Sequence, residues 1–189
     1  MTTVHTIGHG NRAADEFVAL LQQARIERLV DVRAFPGSRR HPQFAREALG
    51  RALGEARIEY LWEGVALGGR RRPALGSPNS ALRNASFRAY ADHMMRSAFQ
   101  EGLERVIRLA GEKPTAIMCA ERLPWHCHRY LIADSLVARA IPVLHIVSAG
   151  APQRHALNRL ARVDGNVLIY DKGAQPDLGL GRGDDKTGV

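Results

Sequence analysis

The chemistry-bearing residues of this chain bunch in one short stretch: Cys119-Ala120-Glu121, then His126-Cys127-His128-Arg129. Thiols, imidazoles, a carboxyl group and a guanidinium at this spacing suit three kinds of work. A thiolate attacks an electrophile while His or Glu moves the proton. The same groups ligate a metal. A thiol that ionises readily is oxidised readily. The apolar run Thr115 to Cys119 predicts a buried strand, and Leu131, Ile132, Ser135, Leu136 and Ala138 predict a helix. Cys119 then ends a strand and Cys127 starts a helix. Amides at a helix N-terminus bind anions and lower thiol pKa values, and His126, His128 and Arg129 favour the charged form further. Cys119 also fits a plainer role, a small hydrophobe closing a strand.

Spacing narrows these options. A cysteine phosphatase loop needs an Arg at a fixed distance after its Cys, so that loop amides and guanidinium surround one phosphate. Those positions hold Trp125 and Ala133, which excludes that reaction. A sulfurtransferase remains open. There is no CxxC, so a divalent metal has no standard cysteine pair here and the cofactor stays unassigned.

Two more polar clusters follow predicted strands. Thr3 to Ile7 ends at His9 and Asn11, with Asn11 the expected cap of the next helix. Arg28 to Arg33 carries Asp31 and Arg33, followed by Ser38-Arg39-Arg40-His41. Side chains two apart on a strand share a face. Asp31 and Arg33 therefore form an ion pair, or a carboxylate base beside a guanidinium that holds an anion. Arg39 and Arg40 extend an anion site or are solvated. Arg70-Arg71-Arg72 is a solvated run or a contact to a nucleic-acid backbone.

The elements that must position these groups alternate in type. Phe17, Leu20, Leu21 and Ala24 predict a helix over 13–25, and Ala45, Leu49, Ala52, Leu53 and Ala56 a second. Residues 58–61 read as a strand and 68–84 as a long exposed loop. One longer helix is expected to carry Tyr90, Met94, Phe99, Leu103, Val106, Ile107 and Ala110. Residues 142–147 read as a strand, 152–162 as a short helix and 167–170 as a last strand. This order predicts a three-layer αβα, Rossmann-like α/β fold with a mainly parallel sheet. In such sheets ligands bind outside the carboxyl ends of the strands, where all three clusters fall.

The 189 residues fit one domain, expected over 1–172, with a flexible tail over 173–189. Hydrophobic residues make up 45%, which excludes a disordered chain. No apolar run is long enough to span a membrane, and the N-terminal residues lack the layout of a signal peptide. A cytoplasmic protein is expected. Two cysteines are too few for a disulfide scaffold. A net charge of +8 and a pI of about 10.3 suit phosphorylated small molecules or nucleic acid as partners.

Thr6-Ile7-Gly8-His9-Gly10-Asn11-Arg12, Val30-Asp31-Val32-Arg33-Ala34-Phe35-Pro36, Pro42-Gln43-Phe44 and Cys119-Ala120-Glu121 with Cys127-His128-Arg129 together resemble the family called domain of unknown function 488. The resemblance covers residues 3 to 147. The family pattern has Ser where this chain has Gly10. The resemblance implies His9, Asn11, Asp31, Arg33, Ser38, Gln43, Cys119, Glu121, Cys127, His128 and Arg129 as motif residues, and implies no particular reaction.

The first expectation is an enzyme acting on a phosphorylated, nucleotide or nucleic-acid substrate. Cys119 or Cys127 serves as nucleophile, and Glu121, Asp31 or His9 moves protons. Asn11, Arg33, Ser38, Arg39, Gln43, His128 and Arg129 bind or position. The alternatives are a non-catalytic nucleotide or nucleic-acid binding module, and a metal-binding or redox-sensing protein.

Overall fold

The structure is a computed structural model, which describes residues 2–37 and 39–172. Along the chain come β1 (Val4–Gly8), α1 (Ala14–Gln23), β2 (Arg28–Asp31), α2 (Arg46–Glu55), β3 (Glu59–Trp62), α3 (Gly64–Leu67), α4 (Ala85–Met94) and α5 (Ser97–Glu112). Then follow β4 (Thr115–Cys119), α6 (Arg129–Ala138), β5 (Val143–Ile146), β6 (Gln153–Arg154), β7 (Ala161–Asp164) and β8 (Val167–Tyr170). Short 3-10 turns over Pro42–Phe44 and Pro124–His126 lead into α2 and α6.

β1 to β6 form one sheet in the order β3-β2-β4-β1-β5-β6. All pairs are parallel except the edge pair β5 and β6. β4 sits at the centre, and each of its residues is buried. Its alternation divides the core. Ala116 and Met118 pack with Phe17, Leu21, Leu49 and Leu53 of α1 and α2. Ile117 and Cys119 pack with Phe99, Leu103, Leu131 and Leu136 of α5 and α6. One apolar cluster on each face makes this a three-layer αβα fold. Each large apolar side chain so buried contributes about 1.5–3 kcal/mol. Among the described residues no helix is long and apolar enough to cross a membrane.

Three local expectations are corrected. The helix expected through Tyr90 and Phe99 is two helices, α4 and α5, parted at Met95 and Arg96. Nine residues of unbroken helix would turn these rings about 180° apart. The break lets Phe99 meet Tyr90 edge-on at 6.0 Å within one core. The helix expected over 152–162 is β6, a turn and the start of β7. Asp134 takes the Asn158 amide at 2.8 Å, and the Asn158 side chain takes the Leu160 amide at 3.0 Å, so side chains claim the donors a helix would use. The strand expected over 167–170 is present as β8, which pairs with β7 in a separate hairpin. α1 is capped by Ala13, not Asn11, which is exposed.

The loop over 68–84 has no helix or strand, yet it is pinned at its middle. Asn79 is buried, donates to Asp92 at 2.8 Å and accepts from the Tyr170 amide at 2.9 Å. The expected tail over 173–189 lies outside the described residues.

Candidate functional site

The order β2-β4-β1 brings the three polar clusters to one edge of the sheet. The chain beyond these strands stays laced together. The Val32 amide donates to the Met118 carbonyl at 2.9 Å, His9 to Cys119 at 3.1 Å and Gly10 to Ala120 at 2.9 Å. Gly8 is required here, because a Cβ would overlap the Glu121 carbonyl and come within 2.5 Å of the Arg129 Nη1. Gly10 adopts φ +56°, the left-handed turn that a Ser would enter with strain.

The structure pairs Cys119 with Cys127 through their sulfur atoms. Their Cα atoms stand 7.6 Å apart. That is wider than the roughly 4.4–6.8 Å of ordinary disulfides, so two thiols in contact suit this backbone as it stands. Arg129, at the first turn of α6, lies fully buried behind them. Its Nη1 donates to the Cys119 sulfur at 3.1 Å, to the Ile7 carbonyl at 2.8 Å and to the Glu121 carbonyl at 2.9 Å. Its Nη2 donates to the Arg122 carbonyl at 2.9 Å, and its Nε has no partner. Burial lowers its pKa to about 9, with the charge on Arg12 acting in the same direction. The group remains a cation at neutral pH, and no carboxylate among the described residues forms a salt bridge with it.

Cys127 precedes α6 and its cap His128, and its sulfur accepts the Arg129 amide at 3.5 Å. His128 Nε2 lies 3.1 Å from the Val32 carbonyl, so Nε2 carries the proton and donates it. Nδ1 is then bare, 3.5 Å from the Cys127 sulfur and placed to accept its proton. Burial lowers the His128 pKa to about 4, which keeps the ring neutral.

Asp31 is fully buried and saturated with donors. Its carboxylate accepts from Arg33 Nη2 at 2.6 Å, Arg33 Nε at 2.9 Å, the Arg33 amide at 3.0 Å and the Tyr60 hydroxyl at 2.7 Å. The pair is the ion pair that strand alternation allows. It leaves Arg33 Nη1 facing the cleft, 3.4 Å from His9 Nε2. His9 Nδ1 donates to the Gly10 carbonyl at 2.8 Å, and its ring stacks on Phe44 at 4.3 Å. Burial again lowers its pKa to about 4, so His9 is neutral with a bare Nε2.

These groups line one cleft of two lobes. The inner lobe, about 390 Å³, is lined by Cys119, Cys127, His128 and Gly69. The outer lobe, about 500 Å³, is lined by His9, Asn11, Arg40, His41 and Arg122. Arg33, Phe35, Arg70 and Glu121 border both. Arg129 acts from behind the wall. Gln43 turns away and donates to the Arg12 carbonyl at 3.1 Å. Arg39 is exposed and lines neither lobe, while Arg40 does. Ser38 lies outside the described residues. Of the basic run, Arg70 faces the cleft, whereas Arg71 donates to the Gly68 carbonyl at 3.0 Å near the end of α3. Sequence reasoning passed over Phe35 and Arg122 as cleft residues. Among the described residues no three His, Cys, Asp or Glu side chains converge as metal ligands.

No curated protein and no solved structure matches the chain. The family model described as Domain of unknown function DUF488 matches residues 13–136, well over half of the sequence and most of this cleft, and the chain belongs to that family.

Proposed function

We propose that this protein is a thiol-dependent enzyme whose substrate carries a phosphate. One observation carries the reading: Cys127 faces the bare Nδ1 of His128 on the floor of a cleft rimmed by arginines. A thiol beside a base held by a third group is the arrangement of an activated nucleophile. Here the third group is the Val32 carbonyl. The neutral ring favours a resting thiol, with the proton passing to Nδ1 as sulfur attacks. Glu121 at the mouth is the group for proton exchange with a leaving atom. Arg33 is set by Asp31 to meet an anion, and Arg40 and Arg122 extend that field over the outer lobe.

The buried sulfurs, Cys119 at 1% and Cys127 at 4% exposure, favour a second reading, a binding module with structural cysteines. Peptide-resolved alkylation of the reduced protein separates the two. A thiol enzyme gives rapid labelling of Cys127, slowed tenfold or more in His128→Asn and blocked by phosphorylated ligands. Equal, slow labelling of Cys127 in both proteins overturns the enzyme reading. Salt-sensitive ligand binding that survives Cys127→Ser then identifies the module.

A further inference from the structure

The wall shared by the two lobes holds an aromatic ring that the core does not claim. Phe35 is 70% exposed, although Val32 and Arg33 just before it are buried. Leaving such a ring in water forfeits its burial energy, so a local cause is called for. Arg70 supplies part of it, with its guanidinium carbon 5.8 Å from the ring centroid.

The backbone of Arg70 points the same way. Among the described residues, four non-glycine residues have positive φ: Arg25, Arg57, Ala140 and Arg70. The first three each follow the capping residue of α1, α2 or α6, where a left-handed residue ordinarily ends a helix. Arg70 lies further out, beyond Gly68 and Gly69 at the end of α3. Gly69 packs so closely on His128 that a Cβ would stand 3.0 Å from Nδ1. The loop is thus fixed against the thiol lobe, and its next residue is turned back over Phe35.

We propose that Phe35 and Arg70 form the base-stacking platform of a site for a nucleoside phosphate. The base lies on Phe35, and the phosphate enters the outer lobe toward Arg40, Arg122 and Asn11. This rests on the reading that the cleft takes a phosphate-bearing substrate, and it adds what that substrate carries. Exposed aromatics stack on any base face, and a guanidinium beside the ring extends the platform. Both lobes fall within the roughly 300–1,000 Å³ of small-molecule sites. A free nucleotide and the phosphorylated end of a single strand present this same unit.

Calorimetric titration of the full chain tests it, with AMP, GMP, CMP, UMP, ribose 5-phosphate, inorganic phosphate and a short 5′-phosphorylated single-stranded DNA. At least one nucleotide is expected to bind about tenfold or more tighter than ribose 5-phosphate. Phe35→Ala should erase that margin, leave ribose 5-phosphate binding unchanged and leave the melting temperature near that of the parent. Phe35→Tyr should keep the margin. The oligonucleotide binding more tightly than every mononucleotide names a strand end as the source, and the reverse names free nucleotide. Nucleotides no tighter than ribose 5-phosphate overturn the platform and leave the phosphate reading standing. No binding by any phosphate probe overturns both.

Discussion

The Arg129 Nη1 donates to the Cys119 sulfur at 3.1 Å from a fully buried position, and no carboxylate among the described residues forms a salt bridge with it. A cation held out of water gains most from a neighbour that becomes an anion. Arg129 is therefore expected to speed alkylation of Cys119 in the reduced protein, because the sulfur reacts as an anion. Arg129→Lys keeps the charge and loses the fork that spans the sulfur and three carbonyls. In peptide-resolved alkylation of the reduced protein at fixed pH, Cys119 should label more slowly in this variant. An unchanged labelling rate would make Arg129 a purely structural strut.

Asp31 and Arg33 carry a second prediction. Their pair is buried on both sides, and the Tyr60 hydroxyl donates to the same Asp31 oxygen, Oδ2, that takes Arg33 Nη2. Removing one partner strands the other charge, which costs about 3–5 kcal/mol. Asp31→Ala should lower the unfolding free energy from urea melts by that much, and the double variant Asp31→Ala/Arg33→Met should recover a large part. A single variant as stable as the parent would show that Arg33 finds solvent and is not fixed toward the cleft.

Acid sensitivity follows from three rings. His9, His128 and His145 each have the pKa lowered to about 4, first by burial. In the unfolded chain each titrates near 6.5. As pH falls below that value the unfolded state takes up protons that the fold refuses. Stability should therefore be full above about pH 6.5 and decline toward pH 4, by at most about 1.4 kcal/mol per pH unit for each ring. Urea melts at stepped pH should show this slope, shallower in His128→Asn. A flat profile across that window would mean the rings protonate within the fold.

Much of this was legible because the signals were local. β4 reads as an unbroken apolar run, and His9, Asp31 and Cys119 each stand at the end of a strand, where open sheets place their sites. What was hidden depends on distance. Arg12 and Arg129 look like surface charges, yet both are buried and tie carbonyls from separate segments, Gly8 and Val147 for one, Ile7 and Arg122 for the other. Phe35 and Arg70 meet across a loop that has no period. The break between α4 and α5 was present as a slip of phase between Tyr90 and Phe99, but a list of apolar residues conceals phase.

The last prediction concerns a buried chain remote from the cleft. Thr6 Oγ1 lies 2.7 Å from His145 Nδ1, His145 Nε2 lies 2.9 Å from His155 Nδ1, and His155 Nε2 lies 2.9 Å from Asp134. Ionised Asp134 only accepts, so His155 Nε2 must donate to it, and His155 Nδ1 must then accept from His145. His145 Nδ1 in turn accepts the Thr6 hydroxyl, and every proton in the chain is assigned. A further proton on His145 would require the Thr6 hydroxyl to turn and accept. Asp134 also takes the Tyr170 hydroxyl at 2.9 Å and the Asn158 amide at 2.8 Å, so it anchors the β7–β8 hairpin to α6 as well as ending the chain. Asp134→Ala should cost about 3–5 kcal/mol by leaving these donors buried and unpaired. Hydrogen exchange should quicken first in the hairpin and around His155, while β4 stays protected. Equal acceleration in β4 would mean that the hairpin and the sheet unfold together and that Asp134 supports the whole core.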